Sequence, residues 1–173
     1  MTKIKTEMIS LKVSDGTSMN AYAAFPDDNN KYPGLLLFQE AFGVNGHIKD
    51  LTERFSREGY VVISPELFHR TELGFQGSYT DFPATKQHIQ ALTEPNLIAD
   101  IKAAYSWLES NSKVLKSQIG STELDEYGKE YTNVVFSKAD HGFFCDARAS
   151  YNPFAAKQAW ALTNVFFNLH LKV

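Results

Sequence analysis

Two residues of this chain stand where open α/β sheets place chemistry. Glu40 follows Leu35-Leu36-Leu37-Phe38, an apolar run set between Pro33-Gly34 and the polar pair Gln39-Glu40. A short, wholly apolar run bounded by turn residues is the pattern of a strand covered on both faces. The carboxyl end of such a strand is where a parallel sheet opens its crevice. A carboxylate beside free backbone amides there suits a site better than a solvated loop. His141 lies in Ala139-Asp140-His141-Gly142, just past Val134-Val135-Phe136, which reads as another buried strand. Its imidazole is the side chain best suited to proton transfer near neutrality. Taken alone, the pair points to an α/β enzyme.

The elements that would position them can be read from spacing. Residues 7–25 read as a hairpin: Ile9, Leu11 and Val13 alternate with polar residues, Asp15-Gly16 marks the turn, and Met19, Ala21, Ala23 and Phe25 alternate on the return. Asn45 can cap a helix with Ile48, Leu51 and Phe55 on one face, and Gly59 is placed to end it. Tyr60 to Ser64 is a second continuous apolar strand, so the central strand, this helix and this strand form a βαβ unit with parallel strands. Residues 67–92 read as a long excursion above the strand ends, with a helix around Lys86 to Leu92. Pro95 stands in the first turn of a helix carrying Leu97, Ile98, Ile101, Ala104, Tyr105 and Leu108. Leu115, Ile119, Leu124 and Tyr127 suggest an amphipathic helix interrupted by Gly120. Asn152-Pro153 opens a last helix with Ala156, Ala159, Trp160, Thr163 and Phe167 inward. The sum is an α/β sandwich with a mostly parallel sheet.

Composition narrows the classes. At 173 residues the chain is read as one domain, and its net charge of -3 argues against nucleic acid or an anionic membrane as partner. No apolar run is long enough to span a membrane, and MTKIKTEMIS lacks the apolar core of a signal peptide. A single cysteine, Cys145, excludes an internal disulfide. A cytoplasmic protein is expected. His47, His69, His88 and His170 share no metal-ligand spacing, and there is neither a phosphate loop nor a dinucleotide fingerprint, so no metal and no cofactor are expected.

Several segments carry a resemblance. QEAFGVN at 39–45, REGYVVISPELFHRT at 57–71, IKAAYSWL at 101–108 and ADHGFFCDARASYNP at 139–153 together resemble the dienelactone hydrolase family. The resemblance implies an α/β-hydrolase-type, three-layer fold with an N-terminal hairpin, and hydrolysis of a carboxylic ester or lactone through an acyl-enzyme. It further implies that His141 is the general base, that Glu40 interacts with the resting nucleophile, and that the Ala41 amide is an oxyanion-hole donor. Arg70 and Arg148 could bind a substrate carboxylate, although surface ion pairs are favoured for both. Phe42, Phe143 and Phe144 could line a substrate pocket, or be core.

One part of the family pattern is missing. Its nucleophile sits in a G-x-C-x-G or G-x-S-x-G elbow between a strand and a helix, and no such motif occurs in this sequence. The strand bearing it should come directly after Lys113-Val114, where this chain instead runs into LKSQIGSTELDEYGKEYTNVVF. The expectation is an internal deletion near residues 114–115 that removes the elbow strand, its helix and the following strands, the aspartate-bearing one included. The cut sheet could close on the Val134 strand, on another chain as a homodimer through the open edge, or remain marginally stable. Cys145 follows His141 without elbow geometry and reads as a packed thiol, and Asp140 as a loop residue. The resulting expectation is a family member with weak or absent acyl-enzyme activity on a small ester or lactone. The alternatives are a non-catalytic binding or dimer-forming remnant, and a damaged or engineered deletion without a selected function.

Overall fold

The computed structural model describes residues 2–121 and 134–172. They fall into two compact units, Met1–Thr122 and Glu123–Val173. The first holds β1 (Ile4–Lys12), β2 (Ser18–Pro26), β3 (Tyr32–Leu36), α1 (Gly46–Arg57), β4 (Val61–Pro65), α2 (Phe82–Gln90), α3 (Glu94–Ser110) and β5 (Val114–Ser121); the second holds α4 (Pro153–Leu171).

The sheet of the first unit runs β1-β2-β4-β3-β5. β1 and β2 form the expected hairpin, with Gly16 at φ 89° in its turn. β2 joins β4 antiparallel, whereas β3 lies parallel to both β4 and β5. The parallel part is therefore the β4-β3-β5 core, and the sheet as a whole is mixed.

Strand alternation assigns the helices to opposite faces. Ile63 and Val61 join Leu36, Met19, Ala104 and Leu108 in one apolar cluster under α3. Ser64, one residue on, instead meets Thr52 of α1, their hydroxyls 2.7 Å apart. Tyr22 likewise reaches α1, donating to Glu53 at 2.9 Å. Helix, sheet and helix make three layers of an α/β sandwich. Asn45 caps α1 by accepting from the Ile48 amide at 3.2 Å, and Gly59, at φ 88°, stands just past its end.

Two readings are corrected by the fold. Leu115 and Ile119 lie on a strand, β5, instead of an amphipathic helix; Leu124 and Tyr127 fall outside the described residues. Gly120 costs a helix about 1 kcal/mol, while β3 offers β5 a parallel partner, pairing Leu35 with Gly120. Gly34 makes the approach possible, because a Cβ there would sit 3.2 Å from Val114 Cγ1 and 3.3 Å from Ile119 Cγ1. A strand thus stands where it was expected to be missing, directly after Lys113. The second correction concerns Val134-Val135-Phe136, which form no strand. Val134 is 45% and Val135 79% exposed, and an apolar run without a hydrogen-bonding neighbour has no ladder to join. His141 consequently lies in a turn and not past a strand end.

Candidate functional site

The carboxyl end of β3 carries a tight turn from Glu40 to Val44. Glu40 bridges Gly43, whose amide donates to the Glu40 carbonyl at 3.3 Å, and the Asn45 amide donates to Gly43 at 2.9 Å. Gly43 has φ 74°, and any Cβ there would run into the backbone carbonyl of Phe75. Glu40 is exposed, Ala41 half-buried and Phe42 buried. The Ala41 amide has no acceptor among the described residues. A fixed donor of this kind, beside a carboxylate at a strand end, can stabilise charge developing on a carbonyl oxygen.

The excursion after β4 holds this turn in place. The Gly77 amide donates to the Phe42 carbonyl at 3.0 Å, and Asn45 Nδ2 donates to the Tyr79 hydroxyl at 2.9 Å. The Phe42 ring packs edge-on against Tyr79, centroids 4.8 Å apart, and against Phe82 at 6.2 Å. These contacts make Phe42 a packing residue of the turn. Asp81 caps α2, whose His88 stacks on Phe75 at 3.9 Å and bonds the Thr71 hydroxyl at 2.7 Å. Glu66, buried at the end of β4, accepts from the Gly74 amide at 3.0 Å.

Arg70 belongs to a separate cluster in the same unit. It donates to Asp100 with Nη1 at 2.7 Å and Nη2 at 2.8 Å, and to Asp15 with Nε at 2.8 Å and Nη2 at 2.6 Å. Asp100 is fully buried and also lies 3.1 Å from His69 Nε2. The Asp100 and Asp15 carboxylates raise the guanidinium's affinity for its proton. Thr17, through its hydroxyl and amide, and then Arg70 hold the Asp15 carboxyl far below its ordinary range. These ion pairs occupy the guanidinium with the protein's own carboxylates. Sequence reasoning missed Asp100. Its signal was an acid on the same helical face as Leu97, Ala104 and Leu108, a place that requires a buried partner.

In the second unit, His141 is exposed within Ala139-Asp140-His141-Gly142-Phe143-Phe144. Ser150 Oγ donates to the His141 carbonyl at 2.9 Å, and the Asn152 amide to that of Phe143 at 3.0 Å. Asn152 Oδ1 caps α4 through the Ala155 amide at 3.1 Å. Gly142 has φ 83°, with the Arg148 guanidinium packed where a Cβ would be. Phe143 lies between Phe136 at 5.3 Å and Phe144 at 6.4 Å, and Phe144 meets Trp160 at 6.4 Å. Cys145 is a buried thiol. Of the expected site residues, Glu40, Ala41 and Phe42 share one turn, Arg70 stands in its ion-pair cluster, and His141 and Phe143 belong to the second unit. Within either unit taken by itself, no trio of His, Cys, Asp or Glu among the described residues is grouped to hold a metal ion. No described helix is long and apolar enough to cross a membrane.

The β4-β3-β5 core, its βαβ crossover and the turn at the end of β3 define an α/β-hydrolase-type fold. The family model described as "Dienelactone hydrolase family" matches residues 19–124 and again 121–171. The chain belongs to the dienelactone hydrolase family. A protein of Synechocystis sp. described as "Putative carboxymethylenebutenolidase" is 25% identical over 243 aligned positions, covering 98% of this chain and 98% of its own length. That alignment is 70 positions longer than the 173 residues of this chain. An Escherichia coli K12 protein of the same description is 34% identical over 100 residues, 57% of this chain and 36% of its own length. Among solved structures, the "Putative Dienelactone Hydrolase" of Klebsiella pneumoniae superposes with a TM-score of 0.75 at 20% identity, over 95% of this chain and 98% of its own. At that identity the likeness speaks for the fold.

Proposed function

We propose that this chain is a dienelactone-hydrolase relative that binds the carbonyl of a small carboxylic ester or lactone at the Glu40–Gly43 turn and forms little or no acyl-enzyme. The observation that carries this reading is the Ala41 amide, held on a braced turn with no acceptor among the described residues. The relatives' description as carboxymethylenebutenolidases supports a lactone as the ligand. Against turnover stands the sequence, which contains no G-x-[SC]-x-G elbow. In this reading Ala41 is the oxyanion donor, Glu40 the strand-end carboxylate and His141 the ancestral base.

The interruption of the family pattern falls, in this reading, at residues 121–124, where the two family matches meet, one strand later than the 114–115 junction expected from sequence. β5 then corresponds to the elbow strand, and the segment lost is the elbow itself together with its helix and the next strands. β5 ends the strand order of the described sheet, which favours a second, non-catalytic reading as a dimer joined at that edge. An obligate dimer by sizing would support it.

The test is hydrolysis of a p-nitrophenyl ester by the purified chain, with His141→Ala and Cys145→Ser beside it. A rate equal to buffer, in a protein that melts cooperatively, is expected. Turnover abolished by His141→Ala in a folded variant would sink the inactive reading, and loss in Cys145→Ser as well would make Cys145 the nucleophile.

A further inference from the structure

The first unit carries another built concavity, along its outermost strand. Among the described residues β1 pairs only with β2. The Asp27 amide bonds the Lys3 carbonyl and the Val13 amide bonds that of Thr17. In an antiparallel ladder the bonded residues alternate. Odd-numbered residues of β1 therefore face β2, while Ser10 and Lys12 turn their N–H and C=O toward the open edge.

Beside that edge lies a groove of about 460 Å³ between β1 and α3. Its helical wall is Ala99, Ala103 and Ser106, one stripe of side chains too short to fill the space next to the strand. Leu11, Val13 and Trp107 supply an apolar floor. Lys12 on the strand and Lys102 on the helix line the same groove. Both are exposed, and neither has a carboxylate partner among the described residues.

We propose that this edge receives an extended acidic peptide segment as an added strand. Its backbone would exchange hydrogen bonds with Ser10 and Lys12, and alternate apolar side chains would enter the space left by Ala99 and Ala103. Its carboxylates, on the other sheet face from its apolar side chains, would meet Lys12, and Lys102 on α3 would add a longer-range attraction. Open-edge backbone gives such a complex its affinity, and side-chain pockets with complementary charge give it selectivity. The site is independent of any hydrolytic chemistry at the β3 turn.

The experiment uses the full chain and a fluorescein-labelled acetyl-Glu-Val-Glu-Leu-Glu-Val-Glu amide, read by fluorescence anisotropy at low salt. Saturable binding is expected, weakened about tenfold or more by Lys12→Glu with Lys102→Glu, because two attractions become repulsions. N-methylation of alternate peptide amides should abolish it, since a strand cannot pair without its donors. Four outcomes would overturn the proposal: no saturable binding, an unchanged affinity in the double variant, equal binding of the N-methylated peptide, or binding of dodecanoate but not of the peptide. The first would mean that the lysines serve only to keep the edge unpaired. The last would make the groove a small-molecule site.

Discussion

The turn at Glu40–Val44 and the loop at His141–Arg148 use the same local device and rest on different supports. Each has a glycine in the left-handed region, Gly43 at φ 74° and Gly142 at φ 83°, with a neighbour occupying the space of the missing Cβ. At Gly43 that neighbour is the backbone carbonyl of Phe75, in a segment tied down by Gly77, Tyr79 and His88. At Gly142 it is the end of a long side chain, Arg148. The first turn also continues a strand paired on both sides, by β4 and by β5, whereas the second comes after Val134–Phe136, which pairs with nothing among the described residues. Holding a donor within hydrogen-bond tolerance needs a support that does not yield. Only the first region has one.

Gly43→Ala should therefore show the largest effect. It combines a left-handed φ with a clash against backbone that cannot move without displacing the Gly77 and Tyr79 contacts. A loss on the order of 3 kcal/mol is expected, read as a lower urea midpoint. A cost below about 0.5 kcal/mol would mean that the excursion is loosely held and the comparison has no force. Gly142→Ala meets the same backbone penalty, but the atoms in the way belong to a side chain, Arg148, and not to backbone. About 1 kcal/mol is expected, together with a shifted His141 ring resonance in NMR spectra. Equal losses for the two variants would erase the distinction between a backbone support and a side-chain one.

Legibility in the sequence divides along the same line. The hairpin, the βαβ unit and the caps at Asn45 and Asn152 were readable, because each depends on residues within a few positions of one another. The Glu40–Ala41–Phe42 turn was readable from its apolar run and its resemblance to a family. β5 was misread because Leu115 and Ile119 are spaced as on a helix, and only the distant Gly34 supplies the partner that makes them a strand. Val134–Phe136 was misread for the converse reason. The run has strand composition, yet apolar residues alone do not create a neighbouring strand. Asp100 went unnoticed because its partners, His69 and Arg70, lie 31 and 30 positions away.

The bracing of the first unit has one further property to separate the two regions, a dependence on acid. Asp15 sits in the hairpin turn, where Thr17 donates to it with its hydroxyl at 2.6 Å and its amide at 2.9 Å, and Arg70 links it to Asp100 of α3. These donors favour the carboxylate and hold its titration well below the ordinary 3.8. A depressed carboxyl contributes stability that is fully present above its unfolded value and is lost as pH falls toward its folded one. The wild-type chain should thus lose stability through this group below about pH 4, while Asp15→Asn, which cannot titrate, should lose less over the same interval. At neutral pH the variant should be only slightly weaker, because Arg70 keeps both bonds to Asp100. Urea midpoints of the two proteins at neutral and acid pH measure this directly, and parallel pH profiles would remove Asp15 from the brace. The Gly142→Ala midpoint should fall with acid in parallel with that of wild type, since that substitution, in the second unit, leaves Asp15 and its donors Thr17 and Arg70 untouched in the first.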